Sequence, residues 1–423
     1  MKIDLNSFYQ PVAERLMRYA RINTQSRNFT GCWPTTSCQH DLARLLKDEL
    51  LSLNLQDVYY DEEHCLVYGK LRSNLSYACQ PIGLIAHMDT APDAPGGCKP
   101  WLLKNYDGSD ILLNKEKNIV MKAADYPNLQ NYLGQDLILT DGTTLLGGDD
   151  KASIAAIMTM LEYYKDHPDQ PHGDICIAFT PDEEVGGLAR DLDFERFGSD
   201  IAYTLDGDHL GYYEDETFNA SEAVISITGL SVHTGTAKGI MVNAVDIAAE
   251  FMGMLPEKAK PQYTEGTEGF YHLISCNGSC EQAEIVLIIR DFAEEEFHNK
   301  EAYITECVNK LKEKYGQQRI SCQIIEQYRN MKPIIDSVPF MIDYLKQAIK
   351  DSGIEPVCEP FRGGTDGSSL SYRGLPCPNL SAGYENAHGR FEYVPVQSMM
   401  KNVEILIRLI SLYANERKEQ PDE

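Results

Sequence analysis

The apolar positions along the chain fall into three blocks that differ in their period. From about residue 7 to 216, short apolar runs at 82–86, 174–180 and 201–205 have strand length and no alternation. Continuous apolar strands are those covered on both faces, so this block predicts an α/β sheet flanked by helices. Between the strands, residues 149–165 place Ile154, Ile157, Met158 and Leu161 at helical spacing. That spacing predicts an amphipathic helix with one apolar stripe against the sheet. From about 217 to 329 the order becomes strand (223–229), helix (243–255), strands (269–276 and 283–290), helix (294–314) and strand (320–327). Such a βαββαβ unit predicts a sheet with both helices on one face, able to fold as an inserted α+β domain. Helical period returns at 338–350 and 399–413, so the first domain is expected to span 1–216 and 330–423, with the insert at 217–329 between its parts.

A chain of 423 residues has room for one large domain and a smaller one. Its 43% hydrophobic and 24% charged content is that of a globular protein with a sizeable core. The formal net charge of −26, from 64 acidic against 38 basic residues, argues against nucleic acid and anionic membrane surfaces as partners. Cations or small substrates fit it better. No apolar run approaches the roughly 20 residues needed to cross a bilayer, and residues 1–7 have no basic-then-apolar signal character. The twelve Cys are scattered without CxxC pairs, and Cys176 and Cys322 lie inside apolar runs. Reduced thiols and a cytoplasmic location are the expectation.

The candidate chemistry sits where the apolar runs end. Run 82–86 leads directly into His87-Met88-Asp89, an imidazole and a carboxylate at a strand's carboxyl end, where ligands bind in open α/β sheets. Alone, this H-x-D pair is more often a His held structurally by a loop Asp. Asp149 and Asp150 follow Gly147-Gly148 at a helix start; they could cap backbone amides, but two adjacent acids repel unless a cation is near. Run 174–180 is followed by Pro181-Asp182-Glu183-Glu184-Val185-Gly186-Gly187. Adjacent side chains diverge, so one of Glu183 and Glu184 can bind metal while the other holds a proton, a division that two-metal hydrolysis needs. Asp206 repeats the pattern after run 201–205, and His388 in the polar loop 384–390 supplies a second nitrogen. Imidazole and carboxylate ligands without thiolates suit an open, catalytic zinc pair.

With these residues in place, a family resemblance is specific. The runs Ile85-Ala86-His87-Met88-Asp89-Thr90, 145–152, 180–187, Val232-His233-Thr234-Gly235-Thr236-Ala237-Lys238-Gly239 and Arg362-Gly363-Gly364-Thr365-Asp366-Gly367 resemble the motifs of the peptidase T family. These are tripeptide aminopeptidases within the dizinc aminoacylase and carboxypeptidase superfamily. The matches keep their order over nearly the whole chain. The resemblance implies a zinc-exopeptidase-like mixed sheet with an inserted lid or dimerisation domain, and two Zn2+ per subunit, with Co2+ and Mn2+ able to share such ligands. It implies His87 and Asp206 on one ion, Glu184 and His388 on the other, and Asp149 bridging both. Asp89 would orient His87, and Glu183 would be the general base acting on a metal-bridging water. His233 would stabilise the oxyanion, often across a homodimer interface. Arg362, with Asn243 as helper and Arg290 as a further candidate, would bind the substrate carboxylate. The family pattern is departed from at Thr234, where Pro is expected, and in the loop 384–391. Related dizinc dipeptidases, carboxypeptidases and N-acyl amino acid amidohydrolases are the alternative reading; a non-catalytic homologue would have lost Glu183 or a ligand, and none is lost.

Overall fold

The structure is a computed structural model that describes residues 3–28 and 30–416; Met1, Lys2, Phe29 and residues 417–423, and with them the two ends of the expected first domain, lie outside the described residues. The chain divides into two compact units. One runs up to Asp215 and includes Pro333–Glu359 and the chain from Thr365; the other comprises Glu216–Lys332 and Pro360–Gly364. The sequence periodicity on either side assigns 360–364 to the first domain. Backbone pairing moves them: Phe361 N–H donates to Glu216 O at 2.9 Å and Phe218 N–H to Gly363 O at 3.3 Å. A five-residue segment has no period from which this could be read.

The first unit is built on an eight-stranded mixed sheet, ordered Gln56–Asp61, Leu66–Leu71, Ile175–Thr180, Ile82–His87, Ala202–Gly207, Asn379–Ser381, Tyr212–Glu214 and Val357–Cys358. Its four central strands, Ile175–Thr180 through Asn379–Ser381, are mutually parallel. Parallel pairing aligns their carboxyl ends, and the register sets His87 beside Thr180. The strands 82–87 and 175–180 are buried at every position, as continuous apolar runs require.

The helix Gly148–Asp166 packs on this sheet and also against the helices Tyr9–Ala20 and Val396–Asn415. Here the expectation of a single apolar stripe is corrected, because every residue from Gly148 to Leu161 is buried. Five of its non-stripe positions are small residues, Ala152, Ser153, Ala155, Ala156 and Thr159, as close packing on several sides demands, while Lys151 and Met160 are large and equally buried. The two buried hydroxyls bond to backbone, Ser153 to Leu205 O and Thr159 to Ala155 O. Residues 101–139 add a feature without a clear sequence signal. They form the strands Trp101–Leu103 and Leu137–Leu139, joined by Val394–Pro395, and the hairpin Ile111–Asn114 with Ile119–Met121. Their core gathers Ile111, Met121, Leu129 and Leu137 around Tyr393.

The second unit is a four-stranded antiparallel sheet, ordered Phe270–Gly278, Gln282–Asp291, Asn219–Thr228 and Ile320–Tyr328. Alternate residues Ala223, Ile225, Ile227, Ile285, Leu287 and Ile289 form one core with Ile247 and Phe251 of the helix Ala244–Met254 and Ile304 and Leu311 of the helix Glu294–Tyr315. Among the described residues no helix is long and apolar enough to cross a membrane. Among the described residues no two cysteines are joined by a disulfide.

Candidate metal centre

The aligned strand ends of the first unit bring the acidic and imidazole residues together. His87, the last residue of its strand, is 2% exposed. Its Nε2 lies 3.0 Å from Asp149 Oδ1 and 3.4 Å from Asp206 Oδ1, while its Nδ1 faces Asp89 Oδ1 at 3.3 Å. His388 sits in its loop at φ 60°. Its Nε2 lies 2.8 Å from Glu184 Oε2 and 3.2 Å from Asp149 Oδ2. Asp149 therefore offers one oxygen to each histidine. Among the described residues, His87, Asp149 and Glu184 form one set of ligand atoms within 4.8 Å of one another, and His87, Asp150 and Asp206 form another.

Local structure explains how each group is aimed. Gly147 takes φ 76°, and a Cβ on Gly148 would lie 2.4 Å from Val394 Cγ2, so the paired glycines allow the turn that presents Asp149 at the helix start. Asp150, joined to Asp149 by a cis peptide bond, turns inward and accepts the His87 N–H at 3.2 Å. Of the three consecutive acids, Asp182 points away from the cluster. It accepts the Thr35 N–H at 2.7 Å, the Gln39 amide at 2.6 Å and the Thr35 hydroxyl. Asp89 accepts the N–H groups of Glu183 and Glu184 at 3.0 and 3.3 Å, so it shapes the turn carrying both as well as facing His87. Asp206 is fixed by its N–H, given to Asn379 Oδ1 at 2.8 Å, and by Tyr384, whose hydroxyl donates to its carbonyl at 2.9 Å.

Crowded acids in a desolvated space disturb one another. Burial and the neighbouring Asp206 push Asp150 and Glu183 well above the carboxylate range. Burial raises Glu184 to about 8, Asp366 to about 7 and Asp206 to about 6. Asp149 goes the other way: burial opposes its ionisation, but hydrogen bonds from His388 and His87 hold it well below the usual range. Hydrogen bonds to Asp149 and Glu184 lift His388 to about 11. Burial would lower His87, yet Asp206, Asp149 and Asp89 keep it well above 6.5. The carboxylate oxygens Asp150 Oδ1 and Asp366 Oδ1 are buried with no hydrogen-bond partner. Like charges packed in this way are neutralised by protons or by cations. Neutral imidazole nitrogens and ionised carboxylates are the donor set of a divalent metal, and the residues present fit one.

Several residues here escaped the sequence reading. Asp366 closes the Arg362–Gly367 motif beside Gly367, and the Thr180 hydroxyl donates to its Oδ2 at 2.7 Å. Glu385 and Glu392, both buried, flank His388 in the same loop. Glu392 takes the N–H groups of Leu146, Gly147 and Asp149. Glu385 takes His209 Nδ1 at 2.8 Å, Asn128 Nδ2 at 3.0 Å and the Tyr132 hydroxyl. Acids within a mostly apolar stretch such as Phe391-Glu392-Tyr393-Val394 were the available signal.

The other four candidates belong to the second unit. His233 is exposed, and its Nδ1 accepts the Gly235 N–H at 3.1 Å. Asn243 caps the helix Ala244–Met254 by accepting the Val245 N–H at 3.1 Å. Arg362 gives Nη1 to Gly266 O at 2.6 Å and Glu268 O at 3.0 Å, and Nη2 to Thr264 Oγ1 at 2.9 Å. Its guanidinium lies over the rings of Phe218 and Phe270. Arg290 is buried and gives both Nη groups to its own sheet, to Ser221 O, Ile289 O and Gln327 Oε1, so it braces the strands.

Residues 147–412 match the family model described as peptidase family M20/M25/M40. A peptidase T of Clostridium botulinum strain 657 is 48% identical over 405 residues, which cover 96% of this chain and 99% of that protein. This chain belongs to the peptidase T group of that family. As a member it is a hydrolytic exopeptidase, a metallo-aminopeptidase. Its fold is that of solved family structures. A tripeptidase from Staphylococcus aureus superposes with a TM-score of 0.77 at 21% identity, over 96% of this chain and 99% of that one. A dinuclear metal binding peptidase of Bacillus subtilis gives a TM-score of 0.65 at 11% identity, over 96% and 98%. The family match begins at residue 147 and so takes in Asp149, Glu183, Glu184, Asp206 and His388 of this peptidase, while His87 and Asp89 lie before it.

Proposed function

We propose that this peptidase removes the N-terminal residue from short peptides, tripeptides first among them, using two divalent ions, zinc by preference. The observation that carries the reading is Asp149, with Oδ1 turned to His87 and Oδ2 to His388. His87 and Asp206 would hold one ion, Glu184 and His388 the other, and Asp149 both. Such a pair supplies Lewis-acid polarisation of the scissile carbonyl and acidifies water. Glu183 is the general base: it takes a proton from the attacking water and returns it to the leaving amine. His233 stabilises the oxyanion, and Arg362 with Asn243 meets the substrate carboxylate. The loop 264–268 takes three of the five N–H donors of Arg362. The tripeptidase name of the Staphylococcus aureus structure and the dinuclear metal of the Bacillus subtilis one support substrate length and ion number. A cytoplasmic location and a homodimer complete the proposal; cysteines without disulfide pairing support a reducing compartment.

The deciding experiment compares the metal-loaded protein on matched dipeptide, tripeptide, tetrapeptide and N-acetylated tripeptide substrates. The free tripeptide is expected to be cleaved fastest and the acetylated one not at all. Equal rates on acetylated and free tripeptides would move the protein to the amidohydrolase branch of its superfamily.

A further inference from the structure

We propose that Glu392 is a positioning residue that locks the loop bearing His388 to the turn bearing Asp149, and so sets the geometry between two metal ligands. The inference rests on the reading that Asp149 and His388 hold metal. Glu392 is 2% exposed and four residues beyond His388. Its Oε2 accepts the N–H groups of Leu146 at 3.1 Å and Gly147 at 2.8 Å, and its Oε1 accepts the N–H of Asp149 itself at 2.9 Å. These donors lie at the N-terminus of the helix Gly148–Asp166, where a carboxylate is also favoured by the helix dipole. A Cβ on Gly148 would stand 2.9 Å from Glu392 Oε1, so the glycine leaves room for the carboxylate. On its own side, Glu392 belongs to a closed loop. Glu385 and Tyr393 exchange backbone hydrogen bonds at 2.9 and 3.1 Å, and the Glu392 N–H donates to Gly389 O at 3.2 Å. Within that closure Asn386 and His388 both take positive φ. A loop so constrained transmits a shift at residue 392 to the imidazole. A carboxylate is the group the three donors need, because a glutamine in its place must turn its NH2 toward N–H groups on one side or the other.

The competing role is that of a helix cap alone, which would affect stability and leave the metals untouched. Three variants of the full chain, Glu392→Gln, Glu392→Asp and Asp149→Ala, separate these roles. Zinc affinity of each metal-stripped protein is measured by competition with a chromophoric chelator, alongside the thermal midpoint and kcat and KM on a tripeptide. Loss of an outer partner of a metal ligand costs about 10 to 100-fold in metal affinity or activity, and that loss is expected for Glu392→Gln. It should fall on kcat far more than on KM, and Glu392→Asp, which keeps the charge one methylene short, should recover part of it. Wild-type zinc affinity and kcat in a folded Glu392→Gln protein with a lowered midpoint would overturn the proposal in favour of the cap. Should Glu392→Gln not fold, Glu392→Asp carries the same test: weakened zinc affinity supports the lock, and unchanged affinity and kcat refute it. Unchanged zinc binding in Asp149→Ala would instead remove the metal reading underneath, a failure that the Glu392 variants alone do not produce.

Discussion

At the residue scale, neighbouring acids are divided by what surrounds them. Asp182 is spent on Thr35 and Gln39, Glu184 faces His388, and Glu183 has no hydrogen-bonded side-chain partner among the described residues; burial and the charges of Asp206, Asp366 and Glu184 raise it, and His87 opposes them. A group in that position can exchange a proton without breaking a structural contact. Glu183→Ala is therefore expected to keep both metals while turnover falls by about 10² to 10⁴-fold, the contribution of a positioned acid–base group. Asp149→Ala should lose metal. Metal content after dialysis, read beside single-turnover rates, checks both, and near-normal turnover in Glu183→Ala would assign the base elsewhere. The candidate ligands were legible in the sequence because each follows an apolar run or interrupts a loop. The fate of Asp182 was not, since its partners Thr35 and Gln39 stand more than 140 positions away.

At the scale of elements, the parallel order of the central strands does most to build the site, and two loops complete it. The loop after the strand Ala202–Gly207 is tied to the His388 loop by His209 and Glu385. A hydrogen bond to Glu385 raises His209 to about 9, and Asp208 adds to it at 3.9 Å. A histidine whose folded pKa lies above its unfolded value near 6.5 contributes stability that is complete below about pH 6.5 and is lost as pH rises through about 9. With the ring one-third exposed, solvent screening leaves about 1–2 kcal/mol of that contribution. The stability difference between wild type and His209→Ala should thus be largest near pH 6 and shrink by about this amount at pH 10. Denaturant unfolding at the two pH values measures it, and a pH-independent difference would show that the ring acts only by packing. Element types were legible because strand and helix differ in period. The burial of the helix Gly148–Asp166 on several sides was not, because Ala, Ser and Thr carry no strong polarity and read as a weak polar face.

At the scale of the whole molecule, the second unit carries His233 and Arg362 but none of the candidate metal ligands. Its sheet leaves Ile274 and Ile325 exposed, and its outermost strands are Phe270–Gly278 and Ile320–Tyr328. Two-fold pairing of copies through this unit would cover such a surface and let His233 of one copy serve the metals of the other. Mixing inactive Glu183→Ala with inactive His233→Ala protein tests this. Random assortment of a symmetric dimer should restore about a quarter of the sites. Subunit exchange, verified by a tag pull-down, without recovered activity would refute action across the interface.

The sequence by itself determined the kinds of element, the insertion of a βαββαβ unit and the identity of the metal-ligand candidates. These depend on local period and on which residues stop a strand, and both are written in consecutive positions. Only the tertiary structure decided which oxygen of Asp149 faces which histidine, that residues 360–364 join the second unit, that Arg290 braces its sheet, and that Glu392 reaches back across more than 240 positions to the turn before Asp149. Each of these is a contact between segments far apart in the chain. Such contacts follow from how the sheet orders its strands and closes its loops, and no single segment carries that order.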